Sequence, residues 1–246
     1  MRKVLEIDVG NSFCKWRVRS SANIEFEGRA ALAELCGMFV SIQSERIDKI
    51  KICSVAGSAY NSKLNDELAG IWQVKPELFV VRAFCAGVKN SYASPGKMGA
   101  DRWLASIAAA NKFPGRSLCV ADCGSAVNVE FVSDKGEHIG GYIVPGLLMM
   151  QKALFKNTAQ VRWADSGQSI LPGVDTGTNV ANGCLVTILA LMERLQRQMV
   201  AEKGVLILTG GDAQALIAHL DDESIVYAKD LVLDGFEFLD DKTKAW

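Results

Sequence analysis

Two stretches of this chain begin in the same way, and that echo narrows its fold more than any other feature. VLEIDVGNS at 4–12 and LCVADCGSA at 118–126 each run an apolar strand into Asp, any residue, Gly and then small residues. Each is followed by a second strand-like stretch, CKWRVRS (14–20) and VNVEFVS (127–133), and by a third, IEFEGRA (24–30) and HIGGYIVPG (138–146). Strand-like runs punctuated by Gly, Asn and Ser are what short strands joined by tight turns look like in sequence. A three-strand opening that occurs twice in 246 residues predicts two similar lobes, each large enough to bury its own core, and not an array of many repeats. In such a duplicated architecture the ligand site is expected between the lobes.

The remainder alternates strand with helix. KICSVAG (51–57) and LFVVRA (78–83) read as strands around a crossover helix at 61–70. The stretch 101–112 sets Trp103, Leu104, Ile107 and Ala108 at helical spacing and is stopped by Pro114 and Gly115. Residues 146–156 read as a further helix. A long one over 178–203 carries Cys184, Ile188, Leu191, Met192, Leu195 and Met199 near one face, ahead of the strand VLILTGG. The lobe boundary is expected at 113–117, giving lobes 1–115 and 116–246. No Pro-rich or low-complexity linker separates them, so the lobes should be packed together.

Composition removes several classes of function. Apolar residues make up 49% and charged residues 22%, as in ordinary globular proteins, so disorder is excluded. With 27 Lys plus Arg against 28 Asp plus Glu and no dense basic cluster, the chain lacks the footprint of a nucleic-acid binder. The most continuous apolar stretch, Cys184 to Met192, is about half the roughly 20 residues a bilayer span needs, so no membrane is expected. Glu6 and Asp8 interrupt what a signal peptide would keep apolar, which points to the cytoplasm. The seven cysteines are odd in number, without a CxxC pair, and are expected as reduced, buried thiols. The two histidines, His138 and His219, are far apart and read as incidental, leaving little material for a His-based triad or metal site.

The chemistry therefore has to come from the turns. Neither a GxxxxGK[ST] loop nor a GxGxxG after a strand is present. A hairpin tip reading DxGNS or DxGSA holds phosphate differently: glycine lets the backbone approach a ligand, amides face its oxygens, and the leading Asp holds a cation or its waters. A third glycine turn follows VLILTGGD, where Thr209, Gly210 and Gly211 could lie against an adenine or ribose. Alone, each is an ordinary turn. Two matching tips and a third glycine turn together describe a nucleotide phosphotransfer fold.

On these residues the chain resembles the type III pantothenate kinases, a family of the actin, sugar kinase and Hsp70 fold superfamily. The resemblance covers nearly the whole chain and rests on DVGNSFCKWRV, PGKMGADRW, DCGSAVN, GGYIVPG and LTGGD. It implies an α/β fold of two similar ribonuclease H-like lobes with a nucleotide cleft between them. It also implies ATP-dependent phosphorylation of pantothenate at its primary hydroxyl to 4'-phosphopantothenate, the first step toward coenzyme A, in a cytoplasmic homodimer. Mg2+ would arrive with ATP, and a monovalent cation, K+ or NH4+, would be required. By the same resemblance Asp8, Val9, Gly10, Asn11, Ser12, Phe13, Cys14 and Lys15 form the ATP phosphate turn, with Ser125 a second ATP contact where the family usually has Thr. Asp101 matches the catalytic base, Gly99, Ala100, Asp101 and Arg102 the pantothenate-contacting stretch, Tyr92 an aromatic contact with pantothenate, and Asp122 the monovalent-cation ligand. Val180, in GTNVANG, stands where the family commonly places a Thr that reaches pantothenate from the partner subunit. Val keeps the shape and loses the hydroxyl, a change worth about 0.5 to 1.5 kcal/mol if that hydroxyl binds substrate.

The same residues have plainer readings. An Asp at a helix start is most often a cap or a dipole partner, Arg102 a solvated charge, and Tyr92 and Trp103 packing. A fold does not fix a substrate, so a phosphohydrolase or another small-molecule kinase is an alternative, against which GADR argues. A nucleotide-binding accessory or regulatory protein acting through a protein partner is another, and Val180 gives it weight.

Overall fold

The first strand-like stretches fold as an antiparallel meander of β1 (Lys3–Val9), β2 (Phe13–Ser20) and β3 (Asn23–Ala31). In this computed structural model, which describes residues 2–21, 23–34, 37, 39–157, 169–220 and 224–239, β4 (Lys49–Ser54) then pairs parallel with β1. β5 (Glu77–Leu78) pairs parallel with β4, giving the order β3-β2-β1-β4-β5. The crossover from β4 to β5 is α1 (Ser58–Trp72). Alternation fixes the register: Leu5, Ile7 and Val9, with Cys14, Trp16, Val18, Ile50 and Ile52, bury one face against Leu64 and Leu68 of α1. A slip by one residue would turn Glu6 and Asp8 into that core.

LFVVRA does not continue as the expected strand. Only Glu77 and Leu78 find partners, opposite Lys51 and Ile52, and a last bond runs from the Phe79 N–H to the Ile52 carbonyl at 2.7 Å. Val80 is then 61% exposed, and the chain forms a separate hairpin of β6 (Phe84–Cys85) and β7 (Val88–Lys89). β-branched residues make a strand only where a neighbouring edge accepts them. The helix α2 (Ala100–Lys112) buries Trp103 to Ala109 without a break, so it is enclosed on all sides where an amphipathic stripe was expected.

The second meander repeats the first. β8 (Leu118–Cys123), β9 (Ala126–Val132) and β10 (His138–Pro145) are antiparallel, with β11 (Val205–Thr209) parallel to β8 and β12 (Ile225–Tyr227) parallel to β11, in the order β10-β9-β8-β11-β12. Its helices are α3 (Leu147–Asn157), α4 (Thr176–Ala201) and the short α5 (Ala213–Ile217). Ile188, Met192 and Leu195 of α4 pack with Cys119, Ala121, Val129, Leu206 and Leu208 of the sheet. One strand order occurring twice gives the two similar lobes expected from the repeated opening. His138 is not incidental: it is buried, and its Nε2 lies 2.7 Å from Glu130 Oε2.

The chain divides into two compact units, Met1–Lys112 with Asp230–Trp246, and Phe113–Lys229. The expected lobe 116–246 differs from this at its end, where the chain returns to the first unit. There α6 (Leu231–Gly235) buries Leu231, Val232 and Leu233, and Phe236 follows them. Asp234 meets Arg17 and Lys112, each at 2.7 Å, and Lys51 Nζ donates to the Phe236 carbonyl at 3.1 Å. Arg17 and Lys51 are buried, and leaving such cations without partners would be strongly destabilising. Cys14, Cys53, Cys119, Cys123 and Cys184 are buried free thiols and Cys85 is half-buried, while Cys36 lies outside the described residues. No helix among the described residues is long and apolar enough to cross a membrane.

Candidate functional site

The register of β1 and β2 ends at Val9 opposite Cys14, so Gly10, Asn11 and Ser12 form the tip of the first hairpin. The Gly10 N–H donates to the Phe13 carbonyl at 3.0 Å, and the Ser12 carbonyl accepts from the Leu32 N–H at 3.2 Å, which ties the tip to the chain leaving β3. Asn11, Ser12 and Phe13 are exposed. Asp8 stands opposite Lys15 on β2 and opposite Cys53 on β4. Burial pushes the Cys14 thiol well above its ordinary range and Asp8 adds to the effect; Cys53 is pushed up by burial and then by both Asp8 and Asp101. Neither thiol is a nucleophile at neutral pH. Lys15 is not an isolated charge: its Nζ lies 3.3 Å from Asp230 Oδ1.

Asp101 sits in the first turn of α2, half-buried, and its Oδ1 accepts from the Arg102 N–H at 2.7 Å. The preceding Gly99 is close-packed: a Cβ there would lie 2.7 Å from Asp101 Oδ1, and its carbonyl accepts from the Trp103 N–H at 3.0 Å. Arg102 Nη1 donates to the Tyr92 hydroxyl at 3.1 Å, and Tyr92 is held in turn by its N–H on Asn90 Oδ1 at 2.9 Å. Tyr92, Gly99, Ala100, Asp101 and Arg102 are all half-buried, whereas Trp103 is fully buried packing. The structure thus joins the GADR stretch to Tyr92 by a direct bond that sequence spacing did not specify.

In the second unit Gly124 and Ser125 form the corresponding tip, closed by the Gly124 N–H on the Ala126 carbonyl at 3.0 Å. The Gly146 N–H donates to the Ser125 carbonyl at 3.0 Å, and any side chain at 146 would collide with the tip backbone. Asp122, half-buried, lies opposite Thr209 of β11. Gly210 has φ +93°, and a Cβ there would strike Asp122 and the Cys123 carbonyl. Thr209 is buried and Gly210 is taken up by this contact, so of the three residues expected against a base only Gly211 is exposed. The Asp212 N–H donates to the Cys123 carbonyl at 2.9 Å, and the Cys123 thiol is pushed up by burial and then by Asp122 and Asp212. Sequence reasoning quoted LTGGD but gave Asp212 no place at the end of β8; the bond of its N–H to the Cys123 carbonyl puts it there.

Val180 lies near the start of α4, whose N-cap Asp175 accepts from the Thr178 N–H at 2.9 Å in a capping box. It is half-buried and packs against the core of its own unit. Among the described residues no group of three His, Cys, Asp or Glu side chains is placed to hold a metal ion.

The sequence profile of the type III pantothenate kinase family matches residues 4–198. A type III pantothenate kinase of Marinobacter nauticus is 35% identical over 239 residues, covering 95% of this chain and 96% of the relative. One of Pseudomonas putida is 34% identical over 247 residues, covering 94% and 96%. Among solved structures, a Campylobacter jejuni protein described as a Baf family transcriptional activator superposes with a TM-score of 0.59 at 18% identity, covering 96% of each chain. The ethanolamine utilization protein EutJ of Carboxydothermus hydrogenoformans gives 0.51 at 8% identity, covering 97% of this chain and 90% of its own. These two likenesses bear on the fold alone.

Proposed function

This chain belongs to the type III pantothenate kinase family, and on that premise we propose that it transfers the γ-phosphoryl group of ATP to the primary hydroxyl of pantothenate, giving 4'-phosphopantothenate for coenzyme A synthesis. The observation that carries the reading is the family match over residues 4–198, whose GADR stretch opens α2 with Asp101 in the first turn and Arg102 bonded to Tyr92. Asp101 takes the hydroxyl proton as the hydroxyl oxygen attacks the γ-phosphorus; the bond to the β–γ bridging oxygen breaks, and ADP leaves. Arg102, braced by Tyr92, suits the pantothenate carboxylate. The turn from Asp8 to Lys15 and the hydroxyl of Ser125 suit the phosphates. The rest of the rate comes from alignment and from neutralised charge.

Asp122, with Asp212 held at the same strand end by its N–H on the Cys123 carbonyl, would hold a potassium or ammonium ion there. Such an ion would neutralise the repulsion between these carboxylates and the triphosphate. Magnesium would come bound to ATP, with Asp8 placed toward its water shell. We further propose a cytoplasmic homodimer. Buried, unpaired thiols suit a reducing compartment, and exposed apolar side chains of the second unit, Ile139, Ile143, Leu148, Leu171 and Val174, suit a second copy.

The test is direct. The purified chain is given ATP, Mg2+, K+ and pantothenate, and the products are separated by mass. One ADP should form for each phosphopantothenate. ATP turnover at full rate without pantothenate would make the protein a phosphohydrolase, and binding of ATP without turnover would favour the accessory-protein reading.

A further inference from the structure

The first hairpin tip carries a cation that the reading above leaves unused. β2 and β3 pair with Lys15 opposite Arg29 and Phe13 opposite Ala31, while β1 sets Asp8 opposite Lys15. Opposed residues on neighbouring strands share a face, and so do residues two apart on one strand. Asp8, Phe13, Lys15 and Arg29 therefore stand on one face, at the end of the sheet where Gly10, Asn11 and Ser12 turn. Phe13 is 48% exposed, and the guanidinium carbon of Arg29 lies 4.0 Å from the centroid of its ring.

The cations of the neighbouring strand β2 have carboxylate partners. Arg17 meets Glu6 and Asp234, each at 2.7 Å, Arg19 meets Glu6 at 2.8 Å, and Lys15 meets Asp230 at 3.3 Å. Arg29 is exposed and, among the described residues, pairs with no carboxylate. A guanidinium laid on an aromatic ring spends only its flat side there; its N–H donors, which lie in the plane, remain for an acceptor. The ring also restricts where that fork can point. A planar fork beside a glycine tip matches two oxygens of one phosphate, a geometry that a lysine cannot offer.

We propose that Arg29, held in place by Phe13, binds the terminal phosphates of the nucleotide and is a second cation at the first tip. The proposal rests on reading that tip as a nucleotide site. Calorimetric titration of the full chain with ATP, ADP and adenosine, for wild type, Arg29→Gln, Arg29→Lys and Phe13→Leu, tests it. Arg29→Gln should weaken ATP by about 10- to 100-fold, the usual worth of a hydrogen bond to a charged group, and leave adenosine affinity and the melting temperature unchanged. Arg29→Lys should restore only part of the loss. Phe13→Leu removes the platform and should cost about 2- to 5-fold. ATP affinity within twofold of wild type in Arg29→Gln, or equal losses for ATP and adenosine, would overturn the proposal. A wild-type chain that makes phosphopantothenate while Arg29→Gln binds ATP normally sinks this inference alone. A chain that binds ATP with the expected Arg29 dependence but never phosphorylates pantothenate sinks the kinase reading alone, and one that binds no ATP sinks both.

Discussion

At the first hairpin tip Lys15 and Arg29 stand on the face that carries Asp8; at the second, Asp122 stands opposite Thr209 and Asn128, and the Asp212 N–H donates to the Cys123 carbonyl. The two tips have the same strand topology and nearly the same turn, each closed by a glycine N–H on a carbonyl beyond it at 3.0 Å. What separates them is that the first carries cations as well as carboxylates, with Lys15 opposite Asp8 and 3.3 Å from Asp230. A tip with a cation can meet phosphate directly, whereas a tip with carboxylates alone can approach phosphate only through a bound cation. Glycine is also used in two ways. Gly124 has an ordinary φ, and a Cβ there would meet nothing nearer than the Ala126 carbonyl at 3.9 Å, so the fold itself does not demand it. Gly210, with φ +93° and no room beside Asp122, is demanded by the fold.

The sharpest way to break this contrast is to neutralise one acid on each side. Asp101→Asn should lower kcat by about 100-fold or more while leaving ATP affinity intact, because the amide keeps the size but takes no proton. Near-normal turnover would leave Asp101 as an acid favoured by the helix dipole and nothing more. Asp122→Ala should fail differently, in binding. We expect it to abolish the dependence on potassium and to weaken ATP by about 10-fold or more, as loss of a cation beside the triphosphate would. Wild-type rates that are equal in sodium and in potassium would end the division between the tips.

The glycines give a smaller and separable test. Gly210→Ala should lower the melting temperature, since a backbone in that region costs about 1 to 3 kcal/mol for a residue with a side chain and Asp122 must also move. Gly124→Ala should leave the melting temperature alone and raise the KM for ATP, because a methyl there meets no protein atom nearer than 3.9 Å and would stand in the way of a bound phosphate. Equal destabilisation by both substitutions would mean that the second tip is a structural turn.

The two tips were legible in the sequence because each is local: a strand, an Asp, a Gly and a strand, all within a dozen residues. The residues that give each tip its sign were harder to read. Arg29 reaches the first tip across two strand pairings, and Asp212 reaches the second through the parallel pairing of β11 with β8, so neither lies near its partner in the chain. The return of 231–238 to the first unit was hidden for the same reason. A five-residue helix is too short to show a period, and Arg17, Lys51 and Lys112, which hold it, are far upstream. LFVVRA misled in the opposite way, because its composition is that of a strand but β4 offers it only two residues of edge.

The smallest expected effect lies on α4, away from both tips. Val180→Thr should lower the KM for pantothenate by about 2- to 10-fold and leave that for ATP unchanged, the worth of one neutral hydrogen bond. Thr has nearly the shape of Val, so packing against the core of the second unit is kept, and the half-buried position leaves a hydroxyl room to turn outward. The effect should fall on KM because a contact remote from the transferring phosphoryl is equally present in ground and transition states. It should also require the dimer, since the first turns of α4 and the apolar Leu171 and Val174 before them are where a second copy would sit. Light scattering with the kinetics decides between outcomes. In a dimer with the lower KM, Val180 faces the neighbouring subunit's substrate; in a monomer, or with KM unchanged or raised, its side chain belongs to its own core, where an added hydroxyl only costs stability.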